Sequence, residues 1–166
     1  MRTHGGCLKA RNWYLLSLAV IVLDHVTKFL ATWKLEYGVL VPLLPVLDLT
    51  LLHNRGAAFS FLSDASGWQR YLFVVLALSV SVALVFFLRR PGHAQLHLGL
   101  ALILGGAIGN VIDRIHIGQV VDFLLVYHGA WSWPAFNVAD SAITIGAGLL
   151  ILDSFQHRRG DEPQAS

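Results

Sequence analysis

Four long apolar stretches, separated by more polar connections, dominate the pattern of the sequence. Each is long enough to cross a bilayer core about 30 Å thick, which takes roughly 17 to 25 helical residues. We therefore predict four transmembrane helices, at residues 13–33, 71–88, 96–112 and 138–155. The fold class is an all-α membrane protein, and we expect a single integral membrane domain over residues 1–166.

Two of the connections have compositions typical of a membrane surface. Residues 34–70 contain two prolines and then an apolar alternation over residues 46–51, which is typical of a short strand or two. Residues 113–137 contain two tryptophans, which are enriched at membrane interfaces. We expect a small β-platform and a short interfacial helix beside the four transmembrane helices.

The composition is that of a membrane protein. Hydrophobic residues make up 55% of the chain and charged residues 13%. Soluble domains usually carry about 25% charged residues. A net charge of +2 is too small to indicate nucleic-acid binding. The single Cys7 excludes an internal disulfide and a cysteine-cluster metal site.

Basic residues mark three segments next to the predicted helices. The positive-inside rule places such segments in the cytoplasm. Both termini are then cytoplasmic, and connections 34–70 and 113–137 face the other side. The residues that carry this bias are Arg2, Lys9, Arg11, Arg89, Arg90, Arg158 and Arg159.

Asp122 and Asp140, two aspartates beside apolar sequence, are the leading candidates for chemistry. A charged side chain at the bilayer centre costs roughly 2.5 to 3.5 kcal/mol even on lenient scales, so such residues usually serve a site. Two carboxylates close together share a proton and can act as general base and general acid. The N-terminus of the fourth helix favours an ionised Asp140 and a protonated Asp122, although capping and apolar surroundings could reverse this.

Capping is an alternative explanation for Asp140. Asn137 is a good N-cap, and Asp140 falls at the third helical position, which resembles the reciprocal capping arrangement. Capping does not explain Asp122, a second carboxylate expected at the same membrane face.

Other polar residues have a structural and a functional interpretation. Asp24 and Lys28 are four residues apart, so they either neutralise each other or shape a site. Asn110, Asp113 and Arg114 line one face at the outer end of the third helix, and the alternative is that Asp113 and Arg114 are simply a solvated helix end.

Small residues also recur at informative spacings. Gly105 and Gly109 form a small-xxx-small step, which more often serves helix packing than function. Residues 54–59 place three small residues after Asn54 and Arg55, either as a tight turn or as backbone exposed to a peptide or lipid chain.

Taken in order, five strings resemble the signature blocks of bacterial lipoprotein signal peptidase, also called signal peptidase II. They spread across nearly the whole chain, so the resemblance is specific. The strings are LDHVTK at 23–28, NRGAAF at 54–59, GGAIGNVIDR at 105–114, VVDF at 120–123 and FNVADSAI at 136–143.

The resemblance implies an aspartic endopeptidase of the bacterial inner membrane, with its active site near the periplasmic face and a periplasmic β-platform. Such enzymes remove the signal peptide of prolipoproteins by cutting before a cysteine that carries a diacylglyceryl group. The implied partners are diacylglyceryl-modified prolipoproteins and membrane lipids, with no nucleic acid, no metal and no cofactor.

The resemblance also implies roles for individual residues. Asp122 and Asp140 match the catalytic pair of the family. The positions that match residues holding or lining the site are Asp24, Lys28, Asn54, Gly56, Asn110, Asp113, Arg114, Asn137 and Ala139.

Two other classes of function compete with a protease. A proton-coupled carrier would also place carboxylates within helices, but it tends to show repeated halves and broken midplane helices. An assembly subunit would need no paired carboxylates. A protease predicts both aspartates near the outer interface, whereas a carrier predicts at least one near the midplane.

Overall fold

All four apolar stretches form long helices. The computed structural model describes residues 10–56 and 67–158, and its helices are long and apolar enough to cross a membrane. Helix α3 runs about one turn further than predicted and takes in Asp113 and Arg114. The helices are α1 Ala10–Lys34, α2 Trp68–Leu88, α3 Ala94–His116 and α4 Val138–Arg158.

Helix α3 is the centre of the bundle, and its glycines explain how closely the others approach it. A Cβ added to Gly105 would lie 2.7 Å from the Ser17 carbonyl oxygen of α1. One added to Gly99 would lie 2.9 Å from the Gly146 carbonyl oxygen of α4. Backbones at this distance leave no room for a side chain. The packing role predicted for the small-xxx-small step is therefore confirmed at Gly105.

Four antiparallel strands form a sheet at one end of the bundle. The first two strands come from residues 34–70, where the alternation predicted a strand, so the predicted β-platform is confirmed. The other two come from residues 113–137, which were predicted as an interfacial connection. In the order in which they pair, the strands are β1 Val41–Leu44, β2 Leu47–Asn54, β3 Val120–His128 and β4 Trp131–Ser132.

The predicted short interfacial helix has no counterpart among the described residues. Between α1 and α2 the described part of the chain forms the β1–β2 hairpin, and between α3 and α4 it forms β3 and β4. Residues 57–66 lie outside the described ranges.

A bulge in β2 lies directly beside Asp122. Leu49 pairs with Leu124, and Leu52 pairs with Asp122. Two residues of β2 therefore oppose the single Phe123 of β3. Such bulges bend a strand and re-aim the neighbouring side chains, and they are frequent next to active sites.

Candidate active site

Asp122 is a buried carboxylate at the third position of β3. The first four residues of this strand are buried, and Asp122 itself is 2% exposed. Its Oδ1 accepts a 2.8 Å hydrogen bond from Asn137 Nδ2. The same amide group donates to the Val121 carbonyl oxygen at 3.1 Å. Asn137 thus ties the strand to the beginning of α4.

Asp140 lies in the first turn of α4, where the helix dipole favours negative charge. Its backbone N–H donates to Asn137 Oδ1 at 2.9 Å, which confirms Asn137 as the N-cap. Its carboxylate has another partner, because Asn110 Nδ2 donates to Asp140 Oδ1 at 2.7 Å. Capping alone therefore does not account for the carboxylate of Asp140.

The two carboxylates are close enough to influence each other's ionisation. Burial is the main cause that raises the pKa of Asp122 to about 7, and the charge of Asp140 raises it further. Hydrogen bonds from Asn54 and Asn137 and the charge of Lys28 act in the opposite direction. A carboxyl group with a pKa near neutrality can hold a proton and also release it.

Lys28 is the buried cation of the site. Its ammonium lies 2.6 Å from Asp24 Oδ2, as the spacing of four residues predicts. It also lies 2.8 Å from Asp113 Oδ2 and 3.1 Å from Asn110 Oδ1. The ammonium therefore neutralises two carboxylates and donates a hydrogen bond to the Asn110 amide oxygen. The interpretation of Asp113 as a solvated helix end is wrong.

Two carboxylates of this network hold other elements in place. Asp24 Oδ1 accepts the backbone N–H of Ala139 at 2.8 Å, which links α1 to α4. Asp113 Oδ2 accepts the backbone N–H of Val121 at 3.3 Å, which links α3 to β3. Both contacts go to residues next to the candidate aspartates, so the network positions Asp122 and Asp140 through the main chain.

The contacts of Asn110 determine which way its amide points. Its Oδ1 faces the Lys28 ammonium and lies 3.4 Å from Asn137 Nδ2. A flipped amide would turn N–H groups towards these donors. The NH₂ group of Asn110 must therefore face Asp140, where it can only donate. A donor in this place favours the ionised form of Asp140.

Small residues make room for this network. A Cβ on Gly109 would lie 2.9 Å from Asp24 Oδ2 and 3.4 Å from the Ala139 side chain. One on Gly106 would collide with the Ala139 carbonyl oxygen. Ala139 is fully buried, so a larger side chain would also lack space there. These contacts explain why the site is built on glycine and alanine.

Asn54, Gly56 and Arg114 form the edge of the site next to the sheet. Asn54 Oδ1 accepts the Gly56 backbone N–H at 2.9 Å, which is a local turn. Arg114 Nη2 donates to the Gly56 carbonyl oxygen at 3.0 Å, and its guanidinium stacks over Phe73 at 5.2 Å. The rest of the string, Ala57, Ala58 and Phe59, lies outside the described residues.

Two side chains next to these residues are absent from the sequence-based prediction. His25 Nε2 lies 3.8 Å from Asp113 Oδ1. Ser141 Oγ donates to the Asn137 carbonyl oxygen at 2.9 Å. Both lie inside strings that carry the resemblance, which is the only signal in the sequence that could have indicated them.

A cavity of about 660 Å³ opens beside Asp140. Its polar wall includes Asn54, Asn110 and Arg114, and the rest is largely apolar and aromatic. Trp131 and Trp133 lie on its wall with ring centroids 5.9 Å apart, and both are exposed. A polar end beside a carboxylate and an exposed apolar wall suit an amphipathic ligand.

The fold is that of a bacterial membrane enzyme. It superposes with a TM-score of 0.82 and 28% identity on a solved bacterial membrane enzyme, over 93% of this chain and 94% of that one. A second solved bacterial membrane enzyme has a TM-score of 0.74 and 30% identity, over 86% of this chain and 91% of that one. Fold and buried polar site together thus define a membrane-embedded enzyme.

The chain belongs to the signal peptidase II family, a family of peptidases. Residues 16–156 match the family described as "Signal peptidase (SPase) II". The lipoprotein signal peptidase of Burkholderia mallei is 50% identical over 160 residues, which cover 96% of this chain and 95% of that protein. That of Acinetobacter baumannii is 57% identical over 145 residues, covering 86% and 82%.

Proposed function

We propose that this chain is an aspartic endopeptidase that removes signal peptides from prolipoproteins by cutting before a diacylglyceryl-modified cysteine. One observation carries the proposal: two carboxylates of different sequence segments, the buried Asp122 and the partly buried Asp140, share a hydrogen-bond network beside a cavity with a largely apolar wall. The names of the relatives, lipoprotein signal peptidases, support the substrate class.

In the proposed mechanism Asp140 is the general base and Asp122 the general acid. Ionised Asp140 accepts a proton from water, and the resulting hydroxide adds to the carbonyl carbon before the cysteine. Asp122 gives its proton to the leaving amine as the C–N bond breaks. The proton on Asp140 then returns to Asp122, so the pair keeps one proton over the cycle.

The assignment of roles rests on the two asparagines. Asn110 donates to Asp140 and cannot accept from it, which favours the ionised base. Asn137 donates to Asp122 Oδ1, so the shared proton belongs on Oδ2, the oxygen that Asn137 does not contact. Burial raises the pKa of Asp122 to about 7, so about half of the Asp122 side chains hold a proton at neutral pH and more do so below it.

The position of the pair favours a protease over a proton-coupled carrier. Asp122 lies on a strand outside the helices, and Asp140 lies in the first turn of α4. Neither is therefore at the membrane midplane, where a carrier would need at least one carboxylate.

Cleavage of matched substrates tests the proposed function. The purified protein should shorten a diacylglyceryl-modified prolipoprotein and leave the unmodified one intact, because the apolar wall must bind acyl chains. Mass spectrometry of the products should place the cut directly before the modified cysteine. Equal cleavage of both substrates, or a cut elsewhere, would contradict the proposal.

We further propose that both termini are cytoplasmic and that the site faces the periplasm. The support is the charge bias: Arg89 and Arg90 lie at the end of the helices opposite the sheet. Reporter fusions after Arg90 and after Ser166 should read as cytoplasmic, and a fusion near Ala130 as periplasmic. A periplasmic signal from the C-terminal fusion would overturn this orientation.

Activity should fall as the pH rises through about 7. The pKa of Asp122 is raised to about 7, so below this value Asp122 holds the proton that the leaving amine needs, and above it the proton is lost. The value of kcat/KM should drop about tenfold per pH unit above pH 7. Return to pH 6.5 before assay should restore the rate, which separates ionisation from denaturation. A flat profile up to pH 9 would contradict the assignment.

A further inference from the structure

A second groove, separate from the cavity of the candidate active site, lies between α1 and α2. Its volume is about 490 Å³, and none of its lining residues lines the cavity beside Asp140. One wall is the face of α1 from Tyr14 to Ile21, and the other is the face of α2 from Leu78 to Arg89. Leu104 and Ile108 of α3 form the floor. The groove exists because α1 and α2 both pack on α3 and leave a gap between them.

The groove has the length of one membrane leaflet. From Leu78 to Arg89 there are 11 residues of helix, or about 16 Å at 1.5 Å per residue. The hydrocarbon core of a bilayer is about 30 Å thick, so one leaflet contributes about 15 Å. Arg89 follows the last residue of α2, at the end of the bundle opposite the sheet. The groove therefore runs from that membrane surface to the midplane.

The walls of the groove present hydrocarbon. Apart from Arg89, its polar side chains are three hydroxyls, and each donates to a main-chain carbonyl oxygen. These bonds are Tyr14 to Val85 at 2.9 Å, Ser17 to Ala101 at 2.9 Å and Ser81 to Ala77 at 2.7 Å. The hydroxyls thus need no partner from an occupant, which suits an acyl chain.

Charge distinguishes the surface end of the groove. Arg89 is exposed there, and no aspartate or glutamate is among the residues that line the groove. Arg11, at the beginning of α1, is exposed at the same end of the bundle. An arginine at headgroup level pairs well with a phosphate.

We propose that this groove binds one acyl chain of an anionic phospholipid, with the lipid phosphate on Arg89. Three features of the groove support the proposal. Its length matches one membrane leaflet, its walls are apolar like an acyl chain, and its surface end carries an arginine that can pair with a phosphate. The site is independent of the proposed cleavage chemistry.

Lipid retention in native mass spectrometry tests the proposal. The full chain in detergent is offered an equimolar mixture of phosphatidylglycerol and phosphatidylethanolamine with the same acyl chains. The wild type should retain one phosphatidylglycerol in preference. Arg89→Gln should lower that preference about fivefold, the factor given by about 1 kcal/mol per arginine near an anionic lipid.

Arg90→Gln is the matched control for charge. Arg90 does not line the groove, and its guanidinium lies over the Phe87 ring at 5.3 Å. This variant should keep the preference of the wild type within about twofold. Unchanged preference in Arg89→Gln, or an equal loss in Arg90→Gln, would overturn the proposal in favour of diffuse attraction to the surface.

A pair of valine variants tests the groove itself. Val82 lines the groove, whereas Val80 is exposed elsewhere on α2. Val82→Trp should fill the groove and remove the retained lipid, and Val80→Trp should not. Retention unchanged by Val82→Trp would overturn the proposal, as would a dimer in the wild type that Val82→Trp abolishes, since the occupant would then be a second copy of the chain.

Discussion

Replacement of either Asp122 or Asp140 by asparagine is expected to lower the rate of prolipoprotein cleavage by about 10²- to 10⁴-fold, the usual contribution of general acid–base catalysis. The amide keeps the shape of the side chain and can still accept from Asn137 or Asn110. It cannot exchange a proton with water or with the leaving amine. Folding and prolipoprotein binding should therefore change little, and single-turnover cleavage assays should show the loss in the chemical step.

Asp153→Asn is the control for this prediction. Asp153 lies near the other end of α4, where it pairs with His93 at 3.0 Å. Its amide variant should cleave at nearly the wild-type rate. Near-normal processing by Asp122→Asn or Asp140→Asn would exclude the aspartic mechanism. If both variants failed to accumulate in the membrane, their carboxylates would instead be needed for folding, as the capping interpretation of Asp140 holds.

The helices and the candidate aspartates could be predicted because their signals are local. Apolar stretches of transmembrane length predict spanning helices without reference to the rest of the chain. Asp24 and Lys28 form a pair because a spacing of four residues places them on one helix face. Asn137 could be predicted as the N-cap of α4 because it directly precedes the first residue of the predicted helix.

The strand that carries Asp122 was missed for a physical reason. Strands with one exposed face alternate between apolar and polar residues, but the first four residues of β3 are all buried. The alternation that indicated β2 is therefore absent. The run Val120–His128 is still rich in β-branched and aromatic residues, which favour strands. The two tryptophans after it favoured the interpretation as an interfacial connection.

The polar network could not be predicted because it depends on how separate helices pack. Lys28 contacts Asp113 and Asn110, which lie more than 80 residues further along the chain. The register of α1 against α3 decides these contacts, and close packing at Gly105 and Gly109 sets that register. The resemblance to the family indicated that these residues belong to one site, but not which atoms meet.

Lys28→Met is expected to destabilise the protein strongly and to impair cleavage. Lys28 is 4% exposed and is the cation between Asp24 and Asp113. Its removal leaves two buried carboxylates without their ammonium partner, and breaking a buried pair in this way costs about 3 to 5 kcal/mol. The Asn110 amide also loses the shorter of the two contacts that determine its orientation and keeps only the one from Asn137 at 3.4 Å. A weaker hold on this amide weakens the hydrogen bond that it donates to Asp140, so the pH profile should change along with the rate.

The matched control is Lys34→Met, the same substitution on the same helix. Lys34 is exposed, and its ammonium lies 3.9 Å from the centroid of the Trp33 ring. Thermal unfolding in detergent should be nearly unchanged in this variant and clearly lowered in Lys28→Met. Addition of Asp113→Asn to Lys28→Met should recover part of the stability, because it removes one uncompensated charge. Equal unfolding temperatures for Lys28→Met and Lys34→Met would show that the buried ammonium does not hold the site together.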